Sequence, residues 1–135
     1  MKKTFKRTEF HGERQSGKTT WLFDCIIKDH KLFDHEVTGL FCIVTAMDFH
    51  RDELINWIDR ELGHVPSNFI FLTKEEHEEP ITGIGGIDVT LERLREVGKI
   101  FRLFVDDSNY IYDKKFWEEQ QETIECPGMY LTVAI

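Results

Sequence analysis

Apolar residues recur along the chain with two different periods. "DELINWIDREL" sets Leu54, Ile55, Ile58 and Leu62 at helical spacing, with charges on the other side and a helix-stopping Gly63 behind them. "DVTLERLREVG" repeats the pattern with Leu91, Leu94 and Val97 and closes on Gly98. "TTWLFDCIIKDHKLF" is apolar around nearly its whole circumference, which suits a helix buried against a sheet. "DKKFWEEQQETI" is a further helix. Between these lie short, almost unbroken apolar runs: "TGLFCIVTA" at 38–46, "NFIFLT" after the turn "VPS", "KIFRLFVDD" and "MYLTVAI". Such runs are expected of parallel strands covered on both faces. Strands alternating with helices at this interval predict an α/β fold of three layers, with about five mainly parallel strands and helices on both faces of the sheet. Length fits a single domain over residues 1–135. The first helix should be preceded by a strand in "TFKRTEFH", yet Phe5 and Phe10 are its only strong apolar members, whereas a central strand should be greasier. The stretch 74–87, "KEEHEEPITGIGGI", acidic and then glycine-rich, reads as an exposed, solvated loop.

Composition narrows the class. Hydrophobic residues make up 41% of the chain and eleven are phenylalanine, which argues against disorder. No apolar run reaches the ~18 residues that span a bilayer, and "MKKTFKRTEF" lacks a signal peptide's apolar stretch, so a soluble, non-secreted, intracellular chain is expected, with no membrane partner. Cys25, Cys42 and Cys126 share no metal or redox spacing and read as reduced thiols in or near the core. The six histidines are scattered, and even His30 and His35, flanking Asp34, read as surface residues. The net charge of −8 is unevenly spread: residues 1–31 hold eight Lys/Arg against four Asp/Glu, the remainder nine against twenty-one. Positive potential therefore gathers near the amino terminus, where it would favour a bound polyanion. The acidic remainder is a poor nucleic-acid surface, so any duplex contact falls to the arm Lys2, Lys3, Lys6 and Arg7 or to a local patch.

One polar stretch carries chemistry. In "HGERQSGKTTW", Gly12, Gly17, Lys18 and Thr19 satisfy G-x-x-x-x-G-K-[ST], a glycine-rich turn whose backbone N–H groups and following helix N-terminus form an anion cage. Gly12, Glu13, Arg14, Gln15, Ser16, Gly17, Lys18, Thr19 and Thr20 are the candidate nucleotide-binding residues. Lys18 would reach the outer phosphates, and the Thr19 hydroxyl could join the shell of a Mg²⁺ ion. Further on, the run "FRLFV" delivers Asp106 and Asp107 at a strand's carboxyl end, the edge where open α/β sheets bind ligands. Asp106 is placed to hold Mg²⁺ and Asp107 to orient or polarise an attacking water. The plainer reading is that "DDSNY" merely caps a loop or the next helix.

Two strands and two helices separate the loop and its helix from the Asp106 strand, an arrangement that resembles the additional-strand P-loop ATPases. With "GERQSGKTTWL", "KLFDHEVTGLFCIVTA", "PSNFIFLT", "TLERLREVGKIFRLFVDDSNYIYDKKFW" and "CPGMYLTVAI" in this order, the chain resembles poxvirus-type genome-packaging ATPases, within the wider class of FtsK and HerA DNA pumps. "ERQSGKTT" is also similar to the loop of phage terminase large subunits. The resemblance implies a ring-shaped homo-oligomer, or a completing partner chain, that hydrolyses ATP with Mg²⁺ while moving viral double-stranded DNA into a capsid through its portal. It implies a location in the host cytoplasm or with the virion. By position, Lys18 and Thr19 would bind phosphate and metal, Asp106 the metal, Asp107 the water, and Arg14 could stabilise charge on the transferring phosphoryl group, although a surface guanidinium paired with a nearby carboxylate is the slightly favoured reading of Arg14. Those pumps place a polar sensor at the end of the fifth strand. Thr132 is the only polar candidate there, and a core-facing position is open to it. A nucleotide-binding module with little hydrolysis, a small nucleotide kinase, and a structural protein with an incidental loop remain alternatives.

Overall fold

Strand side chains sort alternately into two layers of core, and that alternation builds the molecule. A computed structural model describes residues 5–13, 17–33, 39–78 and 86–135. In chain order its elements are β1 (Lys6–Gly12), α1 (Lys18–Phe33), β2 (Leu40–Thr45), α2 (Asp48–Leu62), β3 (Phe69–Thr73), α3 (Lys74–Glu78), α4 (Ile87–Val97), β4 (Ile100–Val105), α5 (Ser108–Ile111), α6 (Lys114–Thr123) and β5 (Gly128–Ala134). All strand pairs are parallel, in the spatial order β1-β5-β4-β2-β3. Phe41 and Ile43 of β2 and Phe104 of β4 meet Leu22 and Ile26 of α1 and Leu54 and Ile58 of α2 on one face. Cys42, Val44, Leu103 and Val105 meet Leu91 of α4 and Trp117 of α6 on the other. The result is the expected three-layer α/β fold, with every strand parallel.

The thin apolar content of β1 has a topological explanation. Among the described residues β1 lies at the sheet edge and pairs with β5 alone, so Lys6, Arg7 and Thr8 can face solvent where a central strand would need apolar residues. Phe10 stacks on Trp21 of α1, 5.3 Å between ring centroids, and supplies the anchor. β5 is inserted between β1 and the acidic strand β4, so the loop strand and the acid strand are not neighbours in space.

Several elements differ from the sequence reading. Within 74–87, residues 74–78 form α3, whose charges are engaged: Glu75 accepts the Asp48 backbone N–H at 3.0 Å and Glu76 pairs with Arg51 at 2.5 Å. Ile87, read as loop, is fully buried at the start of α4, because a glycine-rich approach does not stop an apolar residue from docking on the sheet. Residues 79–85 lie outside the described residues, as do Asp34, His35, Lys2 and Lys3. α1 packs over most of its circumference as expected, with Leu22, Ile26 and Ile27 buried and Trp21, Phe23 and Cys25 partly so, and only its last turn leaves Leu32 exposed. α2 ends as expected, with Gly63 in the left-handed conformation (φ 78°) that favours glycine. Cys42 and Cys126 are buried and Cys25 is half-buried.

One buried ion pair ties α1 to β4. Arg102 Nε donates to Asp29 Oδ2 at 2.8 Å, with the guanidinium lying against the rings of Phe101 and Phe33. Removing one partner strands the other charge in the core. Arg102→Ala is expected to lower stability by about 3–5 kcal/mol, whereas the double change Asp29→Leu with Arg102→Met should cost far less. Urea unfolding midpoints of the two variants read the difference.

Candidate functional site

Chain direction gathers the chemistry. With all strands parallel, the residues after β1, β2 and β4 and the end of β5 reach one edge of the sheet. Gly17 follows the loop with φ 86°, a left-handed conformation costly for any residue with a side chain, and its carbonyl accepts the Trp21 N–H at 2.9 Å to open α1. Lys18 and Thr19 thereby begin a helix whose first N–H groups lack intrahelical partners. Gly17, Lys18, Thr19 and Thr20 line an open cavity of about 280 Å³. A larger hollow of about 600 Å³, bordered by Phe5, Val97, Lys99 and Pro127, lies at the opposite edge of the sheet, away from these groups.

The distant acids arrive beside the loop. Thr19 Oγ1 donates to Asp106 Oδ2 at 2.9 Å across 87 residues of sequence. Thr132 Oγ1 donates to Asp106 Oδ1 at 2.6 Å, and the same hydroxyl accepts the Asp107 backbone N–H at 2.6 Å. Asp106, 1% exposed, is thus clamped between a helix start and the sheet. Lys18, 7% exposed, donates from Nζ to the Glu13 carbonyl at 2.8 Å and stands 3.7 Å from Asp107 Oδ1. That separation makes an ion pair but is too long for a hydrogen bond, and Asp107 Oδ1 is buried without a hydrogen-bond partner among the described residues. Burial, and then repulsion from Asp106, raise the Asp107 carboxyl above the usual range, with Lys18 and His50 opposing the shift. Asp107 is also left-handed (φ 47°, ψ 52°), a turn that aims its side chain and starts α5. Below it, Trp117 Nε1 donates to the Ser108 carbonyl at 3.0 Å, and Asn109 exchanges two hydrogen bonds with Ala134 of β5. "DDSNY" therefore both opens a helix and presents two carboxylates.

Of the expected site residues, Gly17, Lys18, Thr19, Asp106 and Asp107 converge. Gly12 is buried at the end of β1, Glu13 contributes its carbonyl, and Thr20 borders the cavity. Arg14, Gln15 and Ser16 lie outside the described residues. Thr132 does face inward and is fully buried, yet the group it faces is the acid pair. Sequence reasoning missed His50. It sits in the first turn of α2, and one ring nitrogen and one oxygen each from Asp106 and Asp107 lie within 4.8 Å of one another. The available signal was the "VTAMDFH" that follows a strand pointing to the same edge as the acids.

Thr132→Val keeps the shape and removes the hydroxyl, leaving a buried N–H without an acceptor and Asp106 without a donor. A loss of about 1–3 kcal/mol is expected by chemical denaturation, with Thr132→Ser close to wild type.

No protein-family model matches the chain, and no curated protein is significantly similar to it in sequence. Among the described residues no helix is long and apolar enough to cross a membrane.

Proposed function

We propose that the chain binds ATP with Mg²⁺ and hydrolyses it, as the nucleotide-binding core of a DNA-packaging or DNA-translocating ATPase. The observation that carries this reading is the contact of Thr19 with Asp106 and of Lys18 with Asp107, which joins a phosphate-loop motif to an acidic strand end in one open site. Gly17 and the start of α1 would receive the phosphates, and Lys18 would exchange its present oxygen partners for theirs. The Thr19 hydroxyl and the Asp106 carboxylate supply the hard oxygen donors that Mg²⁺ takes, so the residues fit that ion. When bound, Mg²⁺ would neutralise charge on the phosphates. Thr132 holds Asp106 and the Asp107 backbone in register. Asp107, its carboxyl raised and aimed by the turn, would accept a hydrogen bond from the attacking water.

Duplex DNA as the cargo, a ring of subunits and a role with a viral capsid rest on the sequence resemblance and on the basic bias of residues 1–31. A second reading, a nucleotide-binding module with little turnover, is favoured by the Lys18–Asp107 ion pair, which opposes the base role of Asp107. Phosphate release and ATP·Mg²⁺ affinity, measured with and without duplex DNA alongside mass in solution, separate the two. Turnover stimulated by DNA in an oligomer supports the pump. Binding with no phosphate release under either condition supports the module, and absence of binding removes both.

A further inference from the structure

The His50, Asp106 and Asp107 cluster has a donor set that Mg²⁺ does not call for. Mg²⁺ takes oxygen ligands, whereas an imidazole nitrogen beside carboxylates suits a borderline ion such as Zn²⁺ or Co²⁺. We propose that, without nucleotide, the chain binds one such ion directly through a His50 ring nitrogen and one carboxylate oxygen each of Asp106 and Asp107. The site shares Asp106 and Asp107 with the nucleotide reading but does not rest on it, because its three ligands need no phosphate.

The three donor atoms lie within 4.8 Å of one another, and bonds of about 2.0–2.2 Å draw the ligands of one ion to roughly 3.3–3.6 Å apart in a tetrahedron. Small side-chain rotations close that gap. Asp106 is nearly inaccessible and oriented by hydroxyl donors on both oxygens, from Thr19 and from Thr132. An ionised carboxylate has about four lone-pair sites, so each oxygen keeps one for a metal. Hydroxyls that fix a ligand carboxylate in this way are the outer-shell support on which metal affinity depends. Asp107 brings a buried oxygen with no hydrogen bond among the described residues, and His50 approaches from a different element, α2. The two carboxylates offset a divalent charge, and the Lys18 ammonium, 3.7 Å from Asp107 Oδ1, must swing away as the ion enters. Three protein ligands leave one tetrahedral position open, the pattern of catalytic rather than closed structural zinc sites.

The test uses the full chain, free of nucleotide, titrated with Co²⁺ and followed by its visible absorption, then back-titrated with Zn²⁺ and with Mg²⁺. One Co²⁺ per chain, displaced by Zn²⁺ but not by a hundredfold excess of Mg²⁺, is the expected result. His50→Gln should weaken Co²⁺ binding by about tenfold or more, since changing even an outer-shell partner of a ligand costs about 10–100-fold. Independently of any variant, Co²⁺ should selectively shift the imidazole NMR signals of one histidine of the six. Equal Co²⁺ affinity in wild type and His50→Gln, displacement by Mg²⁺ at comparable concentration, or no selective histidine shift overturns the proposal. ATP·Mg²⁺ affinity is measured separately on the same wild-type sample, so failure of nucleotide binding is read apart from failure of the metal site.

Discussion

Lys18→Ala lowers ATP·Mg²⁺ affinity by about 10- to 100-fold, the worth of one or two charge-assisted hydrogen bonds to phosphate, and abolishes measurable turnover. The lysine is a point charge on a flexible stem, buried to 7% exposure at the first position of α1, and its present partners are the Glu13 carbonyl and Asp107. A triphosphate offers it stronger acceptors, so nucleotide arrival should release Asp107 from the lysine. The same substitution removes a cation 3.7 Å from the Asp107 carboxylate, which then faces Asp106 with less compensation. Thermal unfolding of the ligand-free variant should therefore show no gain in stability, and added ATP·Mg²⁺ should no longer raise its Tm. Calorimetric titration reads the affinity, and a Kd within about twofold of wild type would remove Lys18 from the site.

Asp107→Asn separates stability from chemistry. Turnover should fall by about 10²–10⁴-fold, the usual effect of losing a group that handles the proton of an attacking water, while ATP·Mg²⁺ binding stays within a few-fold. The fold itself should hold or improve. Burial and the neighbouring Asp106 disfavour the Asp107 charge, and asparagine removes that charge while tolerating the left-handed backbone. Because the carboxyl is raised in the folded chain, its contribution to stability is fullest below the unfolded pKa and is lost as pH climbs through the folded value. At neutral pH the variant should melt at the wild-type temperature or a few degrees higher. A variant that melts lower, or that turns over at the wild-type rate, contradicts the assignment of Asp107 as a strained, poorly solvated functional carboxylate.

How much of this was legible in the sequence depended on which residues are placed by local pattern. Gly17, Lys18 and Thr19 were legible because turn and helix start are local, and Asp106 because an apolar run in an α/β sheet ends at the binding edge. The position of β1 at the sheet edge was not, since strand order is set by how crossovers pass over the sheet. Once β5 lies between β1 and β4, the exposed "KRT" of β1 needs no further cause. Thr132 was undecided for a related reason: alternation allows either face, and the pairing of Val105 with Leu131 brings Thr132 level with Asp106. His50 was invisible because its relevance requires β2 to lie beside β4, a contact between strands separated by a helix, a strand and two more helices. Ile87 was hidden by the density of glycines before it, which signals a turn without saying where the next helix docks.

The most direct measurement is a crystal structure with a non-hydrolysable ATP analogue and Mg²⁺. The predicted result has the outer phosphates against Gly17, Lys18 and Thr19, and the metal between the Thr19 hydroxyl and the Asp106 carboxylate. Lys18 should have left the Glu13 carbonyl, and Asp107 should face the terminal phosphate. An analogue bound at another surface, or phosphates in the loop with the metal remote from Asp106, would contradict the account.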